Sequence, residues 1–130
     1  MGKKLVLGGV LCGLVVALMA TPAIAELKPV NRLMIVALRD MNALLYGIIT
    51  YDFAAIAATA DSFSARELRV SKIPRLSKGS KRRHGEIAEH VGHIATAAKA
   101  KDKDGIVKHY TETLMVCHDC HANVRDKPKK

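Results

Sequence analysis

Apolar positions recur along this chain with helical spacing. From Pro29 to Thr50, Met34, Leu38, Met41, Leu45 and Ile48 follow at steps of four, three, four and three. That rhythm puts them on one helix face, and Pro29 suits a first turn, where its missing N–H is no loss. A second segment, about Asp52 to Ser64, carries Phe53, Ile56, Ala57, Ala60 and Phe63, with Asp52 as its expected N-cap, and can run on through Leu68. From about Arg69 to Lys81, Pro74, Gly79 and three serines break the rhythm and predict a loop. A third helix is expected from about Arg82 to Ala100, striped by Ile87, Val91, Ile94 and Ala98. After the polar turn 101–104, a fourth runs from about Gly105 to Val124 and lines up Ile106, Tyr110, Leu114, Cys117, His121 and Val124. Neither repeats nor alternating strand patterns occur. Four amphipathic helices with short connections predict an all-α fold, an antiparallel four-helix bundle.

The N-terminus follows a different pattern. Lys3 and Lys4 precede an apolar run from Leu5 to Met19, and Thr21-Pro22-Ala23-Ile24-Ala25 ends in an A-x-A cleavage signal. Residues 1–25 therefore read as a secretory signal peptide, and 26–130 as the mature domain, exported to the periplasm with no stable membrane insertion. The competing reading is an uncleaved membrane anchor. Leu11 stands before Cys12 where a lipoprotein signal wants a small residue, which argues against lipidation. The whole chain carries 21 basic and 12 acidic residues, and the mature part stays strongly basic. A basic exported chain of 4% aromatic content is a poor nucleic-acid binder. It suits an acidic protein partner instead.

The only cysteines of the mature part are Cys117 and Cys120, in Cys117-His118-Asp119-Cys120-His121. C-x-x-C-H is the attachment sequence of a c-type haem. Two thiols three apart lie on nearly one side of a helical turn and can add to the two vinyl groups of one porphyrin, and the adjoining His121 then points at the iron. One covalent haem c per chain, near the C-terminus and on the core stripe of the last helix, is the expectation. A thioredoxin-like site would need a βαβ context, which the pattern lacks. Zinc or copper held by Cys117, His118, Cys120 and His121 alone fails on geometry. Four ligands within five helical residues cannot surround a tetrahedral ion.

In this layout the chain resembles the class II c-type cytochromes, which comprise cytochrome c prime and its low-spin four-helix relatives. The specific match is Val116 to Arg125: C-x-x-C-H, the small Ala122, and the basic Arg125. The small-residue turn and helix from Ala97 to Leu114 also look like the family's approach to its haem helix. The resemblance implies a periplasmic bundle with His121 as proximal iron ligand. It also implies a distal position on the first helix that takes methionine in low-spin members and a bulky apolar residue in high-spin, gas-binding ones. Met34 maps onto that position and Met41, seven residues on, onto a packing position. The family's arginine four residues before the ligand is replaced by Val30, with Arg32 nearby, so Met41 stands as second choice. A homodimer through the first two helices is a further implication, with Tyr46, Tyr51 and Phe53 as candidates for interface or core.

The same residues admit other readings. Met34 alone would be an ordinary core methionine. His84, His90 and His93 are alternative iron ligands. His109 is not, since twelve helical residues set it about 18 Å from His121. The basic stretch Lys72, Arg75, Lys78, Lys81, Arg82 and Arg83 can steer an acidic redox partner, pair with haem propionates, or simply be solvated. The expected function is single-electron transport with no enzymatic constellation. The alternative is a five-coordinate protein binding nitric oxide or carbon monoxide.

Overall fold

The computed structural model describes residues 29–125, and the leader reading of residues 1–25 lies outside them. Among the described residues there are four α-helices and no strands: α1 (Pro29–Thr50), α2 (Phe53–Ser71), α3 (Lys78–Lys99) and α4 (Lys103–Cys120), followed by a π-helical turn, His121–Arg125. The chain divides into two units, Met1–Met34 and Ile35–Lys130. Of the first, only the opening of α1 is described.

Within the second unit the core is one cluster. Met41 and Leu44 come from α1, Ile56, Ala60 and Phe63 from α2, Ile87, Val91 and Ile94 from α3, and Ile106 and Val116 from α4. The α2 and α3 stripes are those the periodicity predicts. The stripes of α1 and α4 are rotated. Leu38 is 61% exposed and Leu45 also faces water, while Leu44 is fully buried. On α4, Leu114 is 45% exposed and Thr113 takes the interior place. Thr113 can do so because its hydroxyl donates to the His109 carbonyl at 2.8 Å, which removes the cost of burying it unpaired. The stretch Arg32–Thr50 is long and apolar enough to cross a bilayer by length and composition alone. In this fold its buried face is part of the shared core.

The ends of α1 and α3 are built alike. Tyr51 and Lys101 both take left-handed backbone, φ 56° each. Asp52 N–H then donates to Gly47 O at 3.0 Å, and Asp102 N–H to Ala97 O at 2.9 Å, which is the long closing bond of a Schellman turn. Each aspartate at once caps the next helix, Asp52 accepting from Ala55 N and Asp102 from Gly105 N, both at 3.0 Å. Lys103 Nζ sits 4.4 Å above the Tyr51 ring and joins the two turns. Gly47 allows the close approach of α1 to α2, since a Cβ there would lie 2.7 Å from Ile56 Cγ1.

The expected loop is shorter than the pattern suggests. α2 continues to Ser71 because Val70 is buried, and α3 starts at Lys78 because Ser77 accepts from Ser80 N at 3.1 Å as its N-cap. Gly79 falls in that first turn, where it does not end a helix.

Candidate functional site

The last turn of α4 carries Cys117 and Cys120, half-buried and not joined to each other. His121 follows at the point where α-helical winding gives way to the π turn. Its backbone N–H still donates to the Cys117 and His118 carbonyls. Among the described residues no hydrogen bond or ion pair engages the His121 ring. Single π-helical turns occur frequently at functional sites. His118 is exposed, as its place between the cysteines predicts, with Nδ1 3.6 Å from Asp119 Oδ1.

Cys117 faces inward and packs against the core cluster that contains Met41. Burial pushes its thiol up to about 11, and the negative charges of Glu67 and Cys120 add to that push. Cys120 is also raised by burial, with the Arg83 guanidinium pulling the other way. Both groups are therefore neutral thiols at neutral pH, the form that resists oxidation. Tyr110, two turns before Cys117, is raised by burial and then by the Cys117 charge, and its hydroxyl donates to the Met41 carbonyl at 3.3 Å. α4 is thus tied to α1 at Met41.

A chain of charged side chains crosses the interior beside Cys117. Asp40 on α1 meets Arg66 on α2 at 2.6 Å, Arg66 Nε lies 3.6 Å from Glu67, and Glu67 accepts from His84 Nδ1 on α3 at 2.6 Å. Arg66 also lies 4.8 Å over the Phe63 ring. Arg83 extends the charge towards the motif, 2.8 Å from Glu86 and 3.8 Å from Asp119. Of the basic stretch, Arg82 and Arg83 are engaged with Glu86, whereas Lys72, Arg75 and Lys78 are exposed.

The structure brings Cys117, Cys120 and His121 together at one helix end and sets Cys117 against the cluster holding Met41. Met41 itself is buried in that core, at 5% exposure. Met34 belongs to the other unit, as a half-buried residue of α1. Of the histidines considered as alternative ligands, His84 is bonded to Glu67, His90 Nδ1 lies 3.1 Å from Glu112 without a well-formed hydrogen bond, and His93 is exposed, 4.0 Å from Glu89. The interior ion chain was not foreseen from the sequence. Its only trace there is polar residues, Asp40, Glu67 and His84, near otherwise apolar stripes.

Two unpaired thiols and an unengaged imidazole at a helix end are what thioether attachment and axial ligation require. Leu114 is exposed on the same helix face as Cys117 and His121. The donor set therefore suits a c-type haem. No family model, curated protein or solved structure matches this chain.

Proposed function

We propose that this chain is an exported monohaem c-type cytochrome that carries single electrons between periplasmic proteins. The observation that carries the reading is the end of α4: two free thiols three residues apart, His121 adjoining the second, and Leu114 exposed on the same face. Cys117 and Cys120 would hold haem c through thioethers, and His121 would be the proximal ligand. When bound, the group supplies an iron that gains and loses one electron.

The chain's own residues do the rest. Cys117, seated against the core, anchors the attachment to the folded interior. The Asp40–Arg66–Glu67–His84 chain fixes three helices around that anchor without relying on exposed charge. Met34 is the distal ligand in this proposal and Met41 the second choice, with the helices closing as an antiparallel bundle. The exposed Lys72, Arg75 and Lys78 would greet an acidic docking face, which speeds encounter more than it adds affinity.

An absorption spectrum of the purified mature protein in both redox states, beside a Met34→Ala variant, tests the reading. Expected is a low-spin ferric spectrum in the parent that is lost in the variant. A low-spin spectrum unchanged in the variant would move the ligand to Met41 or a histidine. A high-spin ferric parent that binds carbon monoxide when reduced would replace the carrier with the gas-binding alternative.

A further inference from the structure

A second donor cluster lies on the packed faces of α3 and α4, away from the cysteines. His109 and Glu112 are one turn apart on α4, and His90 reaches them from α3. Glu112 Oε2 is 2.7 Å from His109 Nδ1 and 3.1 Å from His90 Nδ1. Those separations suit hydrogen bonds, yet the angles do not. All three atoms are shut off from water and none has a well-formed hydrogen-bond partner. Two imidazole nitrogens and one carboxylate oxygen therefore lie close together, buried and with no hydrogen bond formed between them. Buried polar atoms left in that condition are costly unless something else binds them.

We propose that His90, His109 and Glu112 form a site for a borderline divalent metal ion, Zn2+ being the representative, that clamps α3 to α4. The chemistry fits: two neutral imidazoles and one carboxylate make a set that zinc accepts, with a fourth position open to water. Ligand atoms lie within 4.8 Å of one another, against about 3.3 Å in a tetrahedral zinc site. Glu112 Oε2, 2.7 and 3.1 Å from the two ring nitrogens, would have to move outward while the more distant pair of donors closes, a change of rotamer in side chains that are 21–37% exposed. His93 stacks on His109, ring centroids 4.8 Å apart, and steadies that ring. A depression lined by His90, Lys108, Glu112 and Met115 runs beside the cluster, so a small rotation of Glu112 would admit an ion.

The test is calorimetric titration of Zn2+ into the purified chain, with helix content of every variant checked by circular dichroism. Expected is binding at one ion per chain. Outer-shell substitutions at metal sites cost 10–100-fold, so loss of a direct ligand in His90→Gln, His109→Gln or Glu112→Gln should weaken binding about 100-fold or more. His118→Gln, within the cysteine motif, should leave it unchanged. The electron paramagnetic resonance spectrum of the Cu2+-loaded parent, which needs no variant to fold, should show coupling to two imidazole nitrogens. Absence of binding, binding indifferent to the three variants, binding lost in His118→Gln, or a copper spectrum without nitrogen coupling would each overturn the proposal.

Discussion

Nδ1 of His84 lies 2.6 Å from Oε2 of Glu67, and both side chains are almost wholly shut off from water. The carboxylate can only accept, so the ring N–H donates. Removing one partner of such a pair strands the other in a poor dielectric. Glu67→Ala is expected to cost about 3–5 kcal/mol, read from urea unfolding of the purified chain. A double-mutant cycle with His84→Ala should return a coupling of about 1 kcal/mol or more. Additive losses would mean that the two residues act separately.

The two thiols should differ in reactivity in the haem-free chain. With its thiol at about 11, Cys117 is thiolate in only about one molecule in a thousand at pH 8. Cys120 has the Arg83 guanidinium working against its burial. Iodoacetamide should therefore modify Cys120 well before Cys117, as peptide mass mapping over time would show. Glu67→Gln removes a charge that holds the Cys117 thiol up and should speed its modification. Equal rates at both cysteines in the parent would contradict the placement of Cys117.

The same displacement gives the haem-free fold a pH dependence. A thiol raised from 9 to about 11 keeps its proton in the native state while the unfolded chain has already lost it. Between about pH 9 and 11 the unfolded state binds fewer protons, so stability falls as pH rises, by about 2 kcal/mol across the window. Below pH 9 the contribution is fully present. Cys117→Ala should flatten most of this slope in denaturant titrations at stepped pH. What remains belongs to Cys120 and Tyr110, both raised as well.

Helix existence was legible in the sequence because it depends only on spacing along one chain. The stripes Ile56–Ala60–Phe63 and Ile87–Val91–Ile94 are the buried faces, and α1 has the bounds its pattern predicts. The rotation of α1 and α4 was not legible. Leu38 and Leu45 fit an apolar stripe as well as Met41 and Leu44 do, and a helix apolar on several faces does not say which one meets its neighbours. Thr113 misleads for a related reason, since its own backbone satisfies the hydroxyl. The ion chain from Asp40 to His84 and the His90–His109–Glu112 cluster depend on how far each helix slides along the next, which periodicity does not encode. The cysteine motif needed no such information, because its chemistry lies within five consecutive residues.

The twin turns offer a check on local energetics. Asp102→Ala removes the cap on Gly105 N and should cost about 1 kcal/mol. Lys101→Gly should do the reverse. It relieves a left-handed backbone costing roughly 1–2 kcal/mol for a residue with a Cβ, less the added freedom of glycine when unfolded. A net gain of about 0.5 kcal/mol is expected in thermal or denaturant melts, and a loss would contradict the assigned turn.

The covalent claim at Cys117 and Cys120 is met most directly by the intact mass of the purified chain under denaturing conditions. The account predicts the polypeptide plus one haem, with both cysteines consumed and the added mass lost together from a Cys117→Ala/Cys120→Ala variant. A parent chain carrying the mass of bare polypeptide would contradict it.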